Sequence, residues 1–315
     1  MNNKAIYSNQ KAVFSAPIFH QPWWLDIVCQ KGRWDICTAT DKENNIIGTL
    51  PYYLTSIFGC KIIRTPPFTP YLGVWLDYSQ CSERNVSRYS FENEVIGALV
   101  EQLPKVASYN QIHPPQLQNW LPFYWKGYTQ TTRYTYVLEN LNPEKVFEKM
   151  KSEVRTRIRK AHQLFKIEEH NILGDFFQFY ENTMKRQGLS LRRNKRILEA
   201  LHKEIQAREV GKIYNILDSN GKKVAALYMI WDNNTAYYWL PCLDKRLGHQ
   251  GAVQLLLWHA IQTALHMGKS FNFEGSMLPH IEPVFRAFGA ERRPVFQIRK
   301  FGNRLLKAMW VLLKG

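Results

Sequence analysis

The segment between residues 212 and 300 constrains the fold of this chain more than any other part of the sequence. Three runs of β-branched and aromatic residues, KIYNIL, VAALYMIW and TAYYWL, are separated by the short polar segments 219–221 and 233–234. Short polar turns between such runs predict an antiparallel meander. An apolar repeat with helical spacing follows between Gly251 and Gly268, and then come a strand, a short helix and a last strand. The predicted order is therefore β-β-β-α-β-α-β.

The first half of the chain repeats this layout more loosely. Strands are predicted at 34–40, 46–54, 61–65 and 109–113, with a helix near 91–103. Each half closes with an aromatic residue four positions before a glycine and then a strand: Phe123 and Gly127 before 131–138, and Phe285 and Gly289 before 294–300. Two helices, 143–164 and 174–187, precede the second meander. We predict an α/β (α+β) fold of two similar units, 1–140 and 141–315, each a mixed, mostly antiparallel sheet flanked by helices.

Positive charge is concentrated in the second half of the chain. The whole sequence carries a formal charge of +16, of which residues 1–140 hold only +2 (12 Lys and Arg against 10 Asp and Glu) and residues 141–315 hold +14 (30 against 16). The excess comes from basic clusters at 155–160, 185–196 and 292–307. A solvated surface explains each cluster taken alone. Together they favour a partner that bears phosphate.

Several classes of protein and site are excluded or disfavoured by what the sequence lacks. There is no GxSxG, GxxxxGK[ST], HExxH or early GxGxxG motif, and no metal site is expected. Five cysteines without a CxxC pair suit reduced thiols better than a disulfide framework. The opening residues have no apolar signal region, and no run of about 18 apolar residues occurs. We therefore expect a cytoplasmic protein.

The turn before the long helix of the second half has the character of an anion-binding site. It reads Arg-Leu-Gly-His-Gln-Gly from 246 to 251. Free backbone N–H groups and the positive end of the helix dipole at such a turn hold phosphate groups. An ordinary strand-to-helix loop is the alternative.

These features together resemble the GNAT N-acyltransferase unit, and two units in tandem resemble the FemAB-like group. The resemblance rests on FHQPWW at 19–24, RTRIRKA at 155–161, FNFEGS at 271–276 and FRAFGA at 285–290. It implies a glycine turn that binds the pyrophosphate of acyl-coenzyme A, and two diverging strands that hold the pantetheine arm. The donor-binding residues that it implies are Arg246, Gly248, Gln250, Gly251 and Leu240.

Acyl-coenzyme A is the expected cosubstrate, with no tightly bound cofactor. The GNAT turn usually reads Q/R-x-x-G-x-G/A. Here the glycines stand at 248 and 251, and their spacing after Arg246 does not fit that pattern. The alternative donor is aminoacyl-tRNA, which Fem-type transferases use to modify an amine of a peptidoglycan precursor. A third interpretation, from another class, is a noncatalytic module whose basic surface binds nucleic acid or membrane.

Either donor implies attack of an amine on an acyl carbonyl, which requires a base and a proton donor. We predict that Glu274, at the end of a strand, acts as this base or positions the amine; capping the next helix or pairing with Arg286 is the alternative. Tyr237 and Tyr238 point to opposite sheet faces, so one of them can return a proton to the leaving group. Acceptor-binding candidates are Arg286, Glu282, Ser276, Arg155 and Arg159. An i, i+4 ion pair is the alternative for Glu282 and Arg286.

The C-terminal segment 301–315 combines basic residues with an apolar helical face. We expect it either to dock on the body of the protein or to contact anionic lipid peripherally, which would bring the enzyme to a lipid-linked acceptor of the cell envelope. The sequence makes no prediction about oligomeric state.

Overall fold

The computed structural model describes residues 3–10, 15–79, 81, 84–139, 142–186, 188–191, 194–243, 251–275 and 277–302. Over these residues the chain forms twelve strands, ten α-helices and one 3-10 helix. It divides into two compact units, one of Met1–Arg133 with Pro294–Gly315 and one of Tyr134–Arg293. A mixed α/β fold with mostly antiparallel strand pairing was predicted and is confirmed.

The first unit is built on the antiparallel hairpins of its N-terminal strands. Its strand order is β1-β2-β3-β5-β12, with β4 beside β2 and a parallel pair only between β3 and β5. The elements are α1 (Asn3–Ser8), the 3-10 helix (Ile18–His20), α2 (Pro22–Val28), β1 (Arg33–Thr40), β2 (Ile46–Ile57), β3 (Cys60–Arg64), β4 (Trp75–Leu76), α3 (Asn85–Glu101), β5 (Ser108–Ile112) and α4 (Leu121–Trp125).

The second unit begins within β6 (Thr129–Leu138) and ends within β12 (Glu291–Phe301). Its strand order is β6-β11-β10-β9-β8-β7, in which β10 and β11 run parallel. The other elements are α5 (Pro143–Lys149), α6 (Ser152–Leu164), β7 (Lys166–His170), α7 (Leu173–Arg186), α8 (Lys195–Ala207), β8 (Gly211–Leu217), β9 (Lys223–Trp231), β10 (Thr235–Leu243), α9 (Ala252–His266), β11 (Ser270–Asn272) and α10 (Glu282–Arg286).

Helix α9 carries the core of the second unit. Eight of its fifteen residues are buried, so the helix is enclosed on more than one side. It packs against α6 and against β9. The buried residues of α6 are Val154, Ile158 and Ala161, while Arg157 and Arg159 lie exposed on its other faces. The basic cluster of α6 thus lies on the solvent side of a packed helix, as its spacing predicted.

The predicted helix 143–164 is two helices rather than one. The chain is extended at Met150 (ψ 149°), and the N–H of Lys151 donates to the C=O of Ala287 at 3.0 Å. This hydrogen bond joins segments that are far apart in sequence, so helical periodicity carried no sign of the break. Strand β7 and helix α8 were also not predicted.

The division into units differs from the predicted boundary at 140. The chain passes from the first unit to the second inside β6, and the last part of β12 returns to the first unit. The return follows from strand pairing, because Gln297 and Ile298 of β12 lie opposite Ile112 and Gln111 of β5.

Candidate active site

Strands β10 and β11 pair over only three residues and then part. Thr235 lies opposite Ser270 and Tyr237 opposite Asn272, where β11 ends. Strand β10 continues to Leu243 and stays paired with β9 on its other side. A gap therefore opens beside the second half of β10, at the place where the resemblance to the GNAT unit implied diverging strands.

A cavity of about 390 Å³ occupies this gap within the second unit. Its size falls in the ordinary range for small-molecule sites. Strand β10, the segment after β11, helix α9 and the region around α10 form its wall, with one residue from α7. The lining residues are Thr183, Tyr238, Trp239, Pro241, Cys242, Leu243, Val253, Leu256, Leu257, Phe273, Glu274, Gly275, His280, Ile281, Val284 and Phe285.

Glu274 is the acidic residue of this cavity wall. Its carboxylate Oε1 is buried and has no hydrogen-bond partner among the described residues. Burial raises the pKa of the carboxyl well above its usual range, because an apolar surrounding disfavours the charged form. A buried carboxylate oxygen without a hydrogen-bond partner among the described residues is costly to keep, and such groups are typical of functional sites.

The main chain around Glu274 is held by its neighbours in an uncommon conformation. Glu274 has φ +63°, and its N–H donates to Oδ1 of Asn272 at 2.8 Å. That amide oxygen also accepts a hydrogen bond from the Thr135 hydroxyl at 2.7 Å. Gly275 follows with φ +67°, and a Cβ there would lie 2.1 Å from the C=O of Tyr134. Glycine is therefore required beside the carboxylate, because β6 passes too close for any side chain.

The two tyrosines of β10 have different surroundings. Tyr238 lines the cavity, its ring contacts Phe285 edge-on at 6.0 Å, and burial raises the pKa of its hydroxyl. Tyr237 does not line the cavity, and its hydroxyl donates to Oδ2 of Asp232 at 2.6 Å. The structure thus removes Tyr237 from the catalytic candidates and keeps Tyr238.

An irregularity in β10 explains which side chains reach the cavity. The pairing with β9 shifts between Tyr237 and Leu240, where β10 holds one extra residue. Two successive residues, Tyr238 and Trp239, consequently both line the cavity. Leu240 lies opposite Tyr228 of β9 and is not a lining residue. The assignment of Leu240 to donor binding is corrected accordingly.

Cys242 brings a thiol to the wall of the cavity. Its sulfur lies 3.5 Å from the C=O of Ala226, to which the thiol donates. Burial raises the pKa of Cys242, so the thiol keeps its proton at neutral pH. A protonated thiol is a poor nucleophile, which disfavours a covalent acyl-cysteine intermediate.

A guanidinium group marks the edge of the cavity. Arg186, at the end of α7, donates from Nη2 to the C=O of Leu243 at 2.6 Å and to the hydroxyl of Thr183 at 3.2 Å. Both acceptors belong to lining residues. The positive charge of Arg186 therefore stands where β10 ends, next to the opening between the strands.

Glu282 and Arg286 form the ion pair that their spacing allowed. Arg286 Nε lies 3.1 Å from Glu282 Oε1, which also accepts a hydrogen bond from the Tyr136 hydroxyl at 2.5 Å. The two hydrogen bonds lower the pKa of Glu282. Neither Glu282 nor Arg286 lines the cavity, so their assignment to acceptor binding is corrected: they join α10 to β6.

The remaining predicted residues lie away from the cavity or outside the described residues. Arg155 donates to the C=O of Glu148 at 2.7 Å, and Arg159 lies over the ring of Phe147 at 5.5 Å. Both arginines thus contact helix α5, and neither is a lining residue. The predicted residues that lie outside the described part of the chain are Arg246, Gly248, Gln250 and Ser276.

Gly251 is described, and it precedes the first turn of α9. It has φ +91°, and a Cβ there would lie 2.8 Å from the C=O of Arg157. The glycine allows α6 to pass close to the start of α9.

Sequence reasoning missed four polar or aromatic residues of the cavity wall. Thr183 comes from α7, His280 precedes α10, and Trp239 and Cys242 belong to β10. Alternation along β10 would have pointed to Cys242, which stands four residues after Tyr238. No local signal indicated the other three, because their positions depend on the strand irregularity and on how helices pack against the sheet.

Comparison with known proteins places this site in a family context. No curated protein matches the chain. Residues 148–273 match the family model described as acetyltransferase (GNAT) domain, a range that contains α6 to β11 and therefore most of the cavity wall. None of the helices in the described residues is long and apolar enough to cross a membrane.

Solved structures with this fold cover nearly the whole chain. A crystal structure of FemX aligns with a TM-score of 0.64 at 9% identity, covering 93% of this chain and 95% of FemX. The C-terminal domain of a putative lysylphosphatidylglycerol synthetase from Agrobacterium fabrum aligns with a TM-score of 0.53 at 13% identity, covering 98% and 96%. A tandem GNAT protein from the clavulanic acid biosynthesis pathway aligns with a TM-score of 0.50 at 10% identity, covering 94% and 97%. Residues 148–273 therefore match the GNAT acetyltransferase domain model, and the chain has the fold of FemX and of the tandem GNAT protein.

Proposed function

We propose that the protein is an N-acyltransferase that moves an acyl group from acyl-coenzyme A to an amine. The observation that carries the proposal is the cavity where β10 and β11 part, with the unpaired carboxylate oxygen of Glu274 in its wall. The gap accepts an extended acyl-thioester arm, which can take the place of the missing strand beside β10.

The polar ends of the cavity suit a negatively charged donor. Arg186 places a positive charge at the end of β10. The N-terminus of α9, a fifteen-residue helix, begins at Ala252, directly before the lining residue Val253. Helix N-termini favour phosphate groups through their free N–H groups and dipole. The phosphates of coenzyme A would lie at this end, and the acyl group near Glu274.

The reaction that these residues support is direct transfer. The amine nitrogen attacks the thioester carbonyl while Glu274 takes a proton from the nitrogen, so a C–N bond forms. The C–S bond then breaks, and Tyr238 gives its hydroxyl proton to the leaving sulfur. The proton on Glu274 passes to solvent and Tyr238 is reprotonated, which leaves an amide and a free thiol. The protonated state of Cys242 agrees with a route that forms no enzyme-bound acyl group.

We propose a small, saccharide-linked or lipid-linked amine as the acceptor. The fold similarity to FemX and to a lysylphosphatidylglycerol synthetase domain supports an acceptor of the cell envelope. The protein would then act in the cytoplasm, peripherally at the inner face of the membrane, with the basic and apolar segment 301–315 as a contact.

Aminoacyl-tRNA is the second candidate donor. It is favoured by the net charge of +14 on residues 141–315 and by the exposed arginines of α6. Phosphate contacts of this kind supply nonspecific affinity for nucleic acid, which falls steeply with salt. Thermal unfolding in the presence of acetyl-coenzyme A or of charged tRNA separates the two donors. A ligand at about 100 times its dissociation constant stabilises the folded state by about 2.7 kcal/mol.

Replacing the carboxylate tests the proposed function. We expect Glu274→Gln to lower the rate of transfer about 10²- to 10⁴-fold while donor binding is retained, because only proton removal is lost. The matched control is Glu282→Gln, which changes a nearby carboxylate that does not line the cavity and should keep most of the activity. Unchanged transfer by Glu274→Gln would contradict the assigned role. If neither donor stabilises the protein, the noncatalytic binding module becomes the better interpretation.

A further inference from the structure

The first unit contains a second cavity, far in sequence from the GNAT domain. It measures about 360 Å³ and lies where α3 ends, β5 begins, α4 gives way to β6 and β12 ends. We call it the basic cavity, because Lys105, Lys126 and Lys300 line it and no acidic residue is among its lining residues. Lys105 and Lys126 stand in the half of the chain whose net charge is only +2, and Lys300 comes from the basic second half.

The ammonium of Lys300 is held in place by uncharged groups. Its Nζ donates to the C=O of Lys126 at 2.7 Å and lies 4.7 Å from the centroid of the Tyr128 ring. A carbonyl dipole and an aromatic face position the charge without neutralising it. Lys300 therefore presents a full positive charge at the cavity.

The other two lysines leave the cavity positively charged. Lys126 pairs with Glu101 at 2.6 Å, an exposed pair that is screened by solvent. Glu101 does not line the cavity. Lys105 is exposed and forms no hydrogen bond or ion pair with the described residues. Among the residues that the structure describes, one carboxylate thus stands against three ammonium groups, and two of the positive charges have no acidic partner.

The rest of the wall is apolar or aromatic. Leu103, Val106 and the buried rings of Tyr109 and Tyr128 form it. A bare phosphate would use only the lysines. A ligand that combines a phosphate with an apolar body would use the whole wall.

We infer that the basic cavity binds the phosphate group of a ligand with an apolar body, as a site separate from the acyl-transfer cavity. A phospholipid headgroup and a soluble phosphorylated compound share this chemistry. Exposed aromatic residues stand directly before Lys126, namely Tyr124 and Trp125, each 60% exposed. Exposed tyrosine and tryptophan beside lysine are typical of contact with the membrane interface.

Calorimetric titration of the full chain tests this inference with two probes. Glycerol 3-phosphate carries the phosphate alone, and dihexanoyl-phosphatidic acid below its micelle concentration carries the same glycerol phosphate with an apolar body. We expect saturable binding that weakens with salt. Lys105→Glu and Lys300→Met should each weaken it about tenfold, since a hydrogen bond to a charged group is lost.

The matched control is Lys42→Glu, an exposed lysine of the first unit outside the cavity, which should bind within twofold of the unmodified protein. Thermal unfolding of each variant checks that the fold is intact. Tighter binding of the lipid than of glycerol 3-phosphate would indicate that the ligand is a lipid, and equal binding would indicate a soluble phosphorylated compound. Either result supports the site. No binding of either probe at millimolar concentration, or unchanged binding in the Lys105→Glu, Lys300→Met double variant, would overturn it. The outcome does not depend on which acyl donor the second unit uses.

Discussion

Glu274 combines two unfavourable features at one residue, a left-handed backbone and a buried carboxylate oxygen, Oε1, that has no hydrogen-bond partner among the described residues. Each costs on the order of 1–3 kcal/mol. The hydrogen bond from its N–H to Asn272 holds the conformation. Strand β6 passes so close to Gly275 that no residue with a side chain fits there. A chemical role for the carboxyl would explain why such a residue is kept in the wall of a cavity.

The raised pKa of Glu274 predicts how stability depends on pH. Below its usual value of 4.5 the carboxyl is protonated in both the folded and the unfolded chain. As the pH rises above 4.5, the unfolded chain loses this proton first, so the stability contributed by the carboxyl falls until the pH passes its folded pKa. Glu274→Gln should therefore raise the midpoint of thermal unfolding at neutral pH by about 1–3 °C and leave it nearly unchanged at pH 4.

Transfer activity should follow the opposite trend. The rate should rise with pH as Glu274 loses its proton, because only the carboxylate form accepts one from the amine. Thermal unfolding and initial rates across pH 4 to 9 measure both effects. A variant that is less stable than the unmodified protein at neutral pH would show that the carboxyl is paired rather than buried alone.

Cys242 permits a test of direct transfer. Because burial keeps its thiol protonated, we expect Cys242→Ala to retain transfer activity within a few-fold. A loss of activity as large as that of Glu274→Gln, together with detection of an acylated form of the unmodified protein by mass spectrometry, would show that the thiol is the nucleophile instead.

The contact between α6 and α9 leaves no room for a side chain on Gly251. Gly251 precedes α9 with a left-handed φ, and its missing Cβ leaves room for the C=O of Arg157 and the side chain of Ala161. The close approach of α6 to the start of α9 therefore depends on the backbone geometry at one glycine.

Gly251→Ala should destabilise the protein. The left-handed backbone and the contact at 2.8 Å together predict a loss of about 1–3 kcal/mol in the free energy of unfolding, measured by urea titration. Gly97→Ala is the matched control, because Gly97 lies inside α3 with nothing within 4 Å of an added Cβ. That change should stabilise by about 0.5–1 kcal/mol. Equal effects of the two substitutions would contradict the close packing of α6 on α9.

In the whole molecule, the chain passes from one unit to the other inside β6 and again inside β12. The boundary chosen for a fragment therefore decides which core residues the fragment keeps. Tyr136 and Leu138 of β6 belong to the core of the second unit, and Leu138 lies opposite Phe271 of β11. A cut at residue 140, where the turn signals predicted the boundary, removes these residues from the second unit.

We therefore expect the fragment 141–315 to lack fixed tertiary packing. It should keep helical circular dichroism but lose the near-ultraviolet signal and cooperative unfolding. The fragment 129–293, which retains β6, should unfold cooperatively at higher urea concentration. A cooperatively folded 141–315 would show that β6 is dispensable for the second unit.

Local sequence patterns were sufficient for the order of elements from β8 onward and for one part of the site. The diverging strands were implied by the resemblance to the GNAT unit. The β-β-β-α-β-α-β order and the position of Glu274 at the end of a strand follow from periodicity, turn residues and chain order. These are short-range properties, because side-chain alternation and helical spacing are determined within a few residues. The exposure of Arg157 and Arg159 on α6 follows from the same spacing.

Tertiary structure alone decided which candidates reach the cavity. One extra residue in β10 brings Tyr238 and Trp239 to the wall and leaves Leu240 out, and Asp232 holds Tyr237 elsewhere. The break at Met150, the boundary inside β6 and the Glu282 contact with Tyr136 join residues far apart in the chain. The sequence by itself thus determined the order of elements from β8 onward and the exposed face of α6. Packing decided which faces meet, because long-range contacts compete with one another and the winning set depends on shape complementarity across the whole core.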